Sequence, residues 1–169
     1  MKAQTVCLLA LFAVALVANV ARAHDTAPAA PPAPAAPAAD KAADKLASAR
    51  SFIAAKQWPA ALDELKRVND TGSANWNNLM GYALRKGKTP DLAASERYYD
   101  EALRLDPHHR DALEYSGELY LMKGELEKAQ ARLATLSAEC AANCEQYVEL
   151  KSAIGRYQAA GNKFVTTGW

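Results

Sequence analysis

Apolar residues recur at helical spacing through most of the chain, in runs of about three turns that break at polar corners. In "GELYLMKGELEKAQ", residues 117–130, Leu119, Tyr120 and Leu121 precede a Lys-Gly corner, and Leu126 and Ala129 follow it. Each piece carries one apolar stripe that it cannot bury alone, so the corner serves to fold one stripe onto the other. The same alternation predicts helices near 41–55, 59–69, 74–86, 91–105, 109–122 and 125–138. A seventh is expected near 144–160, with Tyr147, Leu150, Ile154 and Tyr157 on one face. The fold class this implies is all-α.

The helix pairs repeat. "FIAAKQWPAALDEL", "YALRKGKTPDLAASERYY" and "LYLMKGELEKAQARL" each hold a large apolar residue, a polar corner, an alanine and a further apolar residue. Counting back from these landmarks puts unit starts near Ala42, Trp76 and Arg110, a spacing of 34 residues. That is the period of a helix-turn-helix repeat. The third unit carries Leu113, Gly117, Tyr120, Gly124, Ala129 and Leu133 in its pattern. The second supplies Trp76, Leu79, Gly81, Leu84, Tyr99, Ala102 and Pro107, with about two extra residues in its corner, "KGKTPD". The first keeps only Phe52, Trp58, Ala61 and Leu65. On these residues, roughly 42–143 resembles the tetratricopeptide repeat family. The resemblance implies an α-solenoid of three helix pairs (42–75, 76–109, 110–143), with the helix at 144–160 as a C-terminal cap over the apolar end of the array. It also accounts for the small residues, since Gly81 and Gly117 let the helices of a pair approach, as Ala61, Ala102 and Ala129 do from the second helix.

Outside the repeats the pattern changes twice. Residues 1–23 run from Lys2 through an apolar stretch, Val6–Ala18, to small residues at Ala21 and Ala23, the layout of a cleaved secretory signal peptide. Cys7 lies inside that stretch and is expected to leave with it. Residues 24–40 are Ala/Pro-rich; "TAPAAPPAPAAPAA" has no apolar period, and frequent proline favours an extended, disordered tether. Residues 161–169 are expected to form a loose tail.

Charge adds an exclusion. The chain has 20 Lys and Arg against 19 Asp and Glu, and the signal peptide removes two of the basic residues. The remainder offers no basic field for nucleic acid. After cleavage no membrane insertion is expected, and the expected destination is the periplasm of a Gram-negative cell.

Of the 3 cysteines, Cys140 and Cys144 remain, an even number in a compartment where disulfides persist. In "ECAANCEQ" they bracket the turn into the last helix, with Asn143 read as its N-cap and Gln146 as N3. Two thiols around a tight turn come within disulfide reach. A structural bridge there would add about 2 kcal/mol for so short a loop. Two sharper readings stay open: redox activity of Cys144 at a helix N-terminus, and metal binding by both sulfurs with a histidine. His108 and His109 stand at a repeat junction, where a capping or loop role explains them and a metal pair is the sharper reading; His24 would become the amino terminus and a weak copper ligand.

No catalytic constellation or cofactor motif emerges, so a non-enzymatic binding role is expected. In the family resembled, the first helix of each pair lines a concave groove that holds a partner protein or peptide. Carrying those positions over gives Arg50, then Asn75, Asn78, Tyr82, Arg85 and Lys86, then Asp111, Glu114, Glu118 and Met122. Such a groove would run from basic and amide-rich to acidic and suit an extended segment of mixed charge. Two rivals are a periplasmic redox or metal-handling protein using Cys140, Cys144 and the histidines, and weak self-association through the open N-terminal end.

Overall fold

The computed structural model describes residues 44–165. The expected signal peptide, the Ala/Pro tether, His24 and the last four residues lie outside that range. The described residues form seven α-helices and no strand: α1 (Ala47–Ala54), α2 (Trp58–Val68), α3 (Ala74–Lys86), α4 (Leu92–Leu105), α5 (Arg110–Met122), α6 (Leu126–Cys140) and α7 (Glu145–Ala159). They pair as α1 with α2, α3 with α4 and α5 with α6, and α7 packs on both helices of the last pair. This is an all-α helical-repeat solenoid closed by a seventh helix.

Local chemistry starts and stops these helices. The Ser73 hydroxyl accepts from the Trp76 amide at 3.3 Å to open α3, and the Asp91 carboxylate accepts from Ala94 at 2.9 Å to open α4. His109 does the same for α5, its Nδ1 accepting from the Ala112 amide at 3.2 Å. α1 begins later than the apolar pattern suggested. Asp44 forms a turn there, its carboxylate accepting from the Leu46 amide at 3.0 Å, and Leu46 is the N-cap.

The corner in "MKGE" is built from Gly124 at φ 79°, with Gly124 N–H donating to Leu121 O and Glu125 N–H to Tyr120 O at 2.8 Å. The α1–α2 corner repeats this pattern bond for bond, Lys56 N–H to Ile53 O and Gln57 N–H to Phe52 O, yet holds Lys56 at φ 55° where the other has glycine. The α3–α4 corner runs from Gly87 to Asp91, five residues against three in the other two, which accounts for the offset in the second unit.

Packing divides into two clusters. Leu46, Ala49, Leu65, Trp76 and Met80 form one around α1–α3, and the Trp76 indole N–H donates to the Leu65 carbonyl at 2.7 Å. Leu113, Tyr120, Leu136, Leu150, Ile154 and Tyr157 anchor the other around α5–α7. Ala61, Ala102 and Ala129 are fully buried. Gly81 does admit its pair partner: a methyl there would stand 2.8 Å from Tyr99 Cε1. Gly117 acts differently from the expectation. A methyl on it would lie 2.6 Å from Leu150 Cδ2, so this glycine admits the closing helix α7 rather than α6.

Candidate functional site

Five of the ten expected groove positions gather around one cleft, and the others do not. The cleft encloses about 610 Å³ between the end of α1, the start of α2 and the last turns of α3 and α5. Tyr82, Arg85, Lys86 and Met122 line it, together with Ile53, Trp58 and Phe164; Glu118 joins them through Arg85. Trp58 meets Tyr82 edge-on at 6.0 Å, and Tyr82 leans on Tyr115 at 4.6 Å, giving an aromatic wall across three helices.

Arg85 is the hub of this wall and is buried, not presented to solvent. Its Nη2 lies 2.7 Å from Glu118 Oε2, its Nε donates to the Tyr99 hydroxyl at 3.4 Å, and its guanidinium faces the rings of Tyr82 and Tyr115 at 5.6 and 5.7 Å. Burial works against its charge, but Tyr99 and Glu118 more than offset that and hold its pKa above the usual arginine value. Burial in turn pushes the Tyr99 phenol up to about 12.

The acidic end foreseen in the sequence is largely neutralised. Glu118 is consumed by Arg85. Glu114 is buried; burial first, then a hydrogen bond with Glu149 of α7 and the charges of Glu118, Glu149 and Asp111, push its pKa up to about 9. At neutral pH it therefore keeps its proton and shares it with Glu149. Asp111 accepts from Gln146 Nε2 at 2.8 Å. The uncompensated charge at the cleft is cationic: among the described residues neither Lys56 nor Lys86 has an ion-pair partner, and Lys86 rests over the Tyr82 ring at 5.9 Å. Burial, then the positive Arg85 and Lys56, pull the Lys86 pKa below the usual lysine value. The expected gradient from basic to acidic is thus replaced by a cationic rim on an aromatic floor.

The remaining expected positions lie elsewhere. Arg50 is exposed and pairs with Asp44 at 2.5 Å, and Asn78 is buried rather than displayed. Asn75 and Asp111 belong to a second, shallow cluster at the unit junction with His109 and Gln146. There His109, whose Nδ1 caps α5, donates from Nε2 to Asn75 Oδ1 at 3.0 Å, a contact between residues one repeat apart. His108 Nδ1 sits 2.7 Å from Glu139 Oε1. Among the described residues no group of three His, Cys, Asp or Glu is arranged to hold a metal ion.

Cys140 and Cys144 are joined as a disulfide, with Cα atoms 5.7 Å apart, at the end of α6 and the N-cap of α7. The cap is one residue later than expected: it is Cys144, not Asn143, and Gln146 reaches across to Asp111 instead of back to the cap. Ala141 and Ala142 between the cysteines both take positive φ, 50° and 59°.

Sequence reasoning missed Ile53, Trp58, Tyr115, Glu149 and Phe164 at the site; Trp58 was read only as part of the first unit's repeat pattern. Tyr115 had a signal, since it follows Tyr82 at almost one repeat. Glu149 had none, because the pattern of α7 displays only its apolar stripe.

Residues 90–154 match the tetratricopeptide repeat family, a stretch that takes in α4, α5, α6 and the first part of α7. Repeats of that family generally mediate protein–protein interaction and are non-enzymatic. No curated protein matches the chain. No helix among the described residues is long and apolar enough to cross a membrane.

Proposed function

We propose that the chain is an exported, periplasmic adaptor or assembly factor that holds an extended segment of a partner protein in the cleft between α1, α3 and α5. The observation that carries this reading is the aromatic wall of Trp58, Tyr82 and Tyr115 beneath two lysines without ion-pair partners. An open, largely apolar cleft with a few charged groups at its rim is suited to an apolar side chain and a nearby acidic group. The N-terminal layout of basic start, short apolar run and small-residue exit supports export.

The test is affinity capture from periplasmic extract with the parent chain and with the Tyr82→Ala/Lys86→Glu variant, whose fold is first matched by circular dichroism. A protein retained by the parent and lost by the variant identifies the partner and the cleft together. Equal retention by both would remove the cleft from the reading.

A further inference from the structure

The C-terminal segment does not hang free over its described part. After α7 the chain reverses at Gly161 (φ 70°) and Asn162 (φ 60°), Gly161 N–H donating to Gln158 O and Asn162 N–H to Tyr157 O, both at 3.0 Å. This reversal sends Phe164 against the α5–α7 cluster, where it is half-buried, and to the edge of the cleft that Trp58 and Ile53 of the first pair also line. The expectation of a loose tail fails at this residue. A side chain from beyond the closing helix thus shares a cleft with residues more than a hundred positions earlier.

We propose that the segment Gly161–Val165 is a strap that occupies one end of the cleft as an intramolecular ligand, with Phe164 as its anchor. The proposal rests on the groove reading above and adds to it what the partner must bring: an extended segment with a large apolar side chain, which takes the place of Phe164. Three features of the site favour this occupant. The wall opposite Phe164 is aromatic and apolar (Ile53, Trp58, Tyr82, Met122), the segment after the turn belongs to no helix or strand, and its root is pinned at Tyr157. A tethered ligand of this kind competes at high effective concentration and sets a threshold for any partner.

The test uses the full chain, its Phe164→Ala variant, and a labelled synthetic peptide with the sequence of residues 160–169. In fluorescence polarisation the peptide should bind Phe164→Ala roughly tenfold or more tightly than it binds the parent, because the parent's own strap competes. Adding Tyr82→Ala to Phe164→Ala should abolish that binding. Equal affinity for parent and Phe164→Ala, binding to neither, or binding indifferent to Tyr82→Ala would each overturn the proposal. Should Phe164→Ala lose its helical signal, a chain ending at Lys163 serves in its place. The groove reading stands apart from this result: partner capture lost on Tyr82→Ala/Lys86→Glu, with no peptide binding to Phe164→Ala, keeps the groove and removes the strap.

Discussion

Replacing Glu114 by glutamine should free the fold of a pH dependence that burial imposes on it. In the folded chain this carboxyl keeps its proton up to about 9, against an ordinary value of 4.5 when unfolded. The folded pKa is the higher one, so the favourable contribution is complete below 4.5 and is lost progressively as pH rises from there toward 9. Within that window folding takes up one proton, and the slope cannot exceed about 1.4 kcal/mol per pH unit. Between pH 5.5 and 7.5 the ceiling is therefore about 2.7 kcal/mol. Glu149, the hydrogen-bond partner, lies at the exposed surface, where water can relax part of the penalty. A loss of about 1 to 2 kcal/mol over those two units is the working expectation. Glutamine is isosteric and its Nε2 can donate to Glu149, so Glu114→Gln keeps the contact without the titration. Urea denaturation of both proteins at pH 5.5, 6.5 and 7.5 should show the variant gaining on the parent by that amount. Asp44, Glu64, Glu101 and Glu125, whose pKa values are lowered by their cationic or backbone partners, contribute stability that is lost only toward acid pH. They are common to both proteins and cancel. A stability difference constant across the three pH values would refute the claim that Glu114 folds with its proton.

Gly117→Ala should lower the melting temperature, because its methyl would stand 2.6 Å from Leu150 Cδ2; an overpacking cost of about 1 to 3 kcal/mol follows, and adding Leu150→Ala should not deepen it by the full cost of a core truncation. Lys56→Gly should stabilise by about 0.5 to 1 kcal/mol in the same assay, since a lysine at φ 55° holds a corner that Gly124 makes without strain; a destabilised variant would mean that the Lys56 side chain contributes more than its backbone costs. Arg85→Met should cost about 3 to 5 kcal/mol by leaving Glu118 without its partner, and Arg85→Met/Glu118→Leu should recover most of that loss in chemical denaturation.

The helices were legible because each needs one apolar stripe to bury, and stripes at helical spacing are visible in a single chain. The disulfide was legible too, from two cysteines around a turn. α1 starts later than its pattern implies because the alanine-rich lead-in favours helix on composition, while the Asp44 side chain captures the Leu46 amide and delays the start. The partner of Gly117 was not legible, because one sequence shows that a helix must approach, not which one. The site was harder to read. The acidic end looked charged since Asp111, Glu114 and Glu118 are acids in the sequence, but whether each keeps a charge depends on burial and on Arg85, Glu149 and Gln146, which come from other stretches of the chain. Phe164 was invisible because no period extends beyond α7.

The notch at Gly117 also bears on how such an array could lengthen. Leu150 fits the backbone of α5 and is fully buried there, so α7 is matched to the unit that carries this glycine. The notch at Gly81 is filled from within its own pair by Tyr99 and offers α7 no equivalent seat. As far as this one contact goes, a copy of the third unit placed before α7 would present Leu150 with the same notch, whereas a copy of the second unit would present a notch its own tyrosine already fills. The seat for the closing helix is thus a property of the last unit and not of the array.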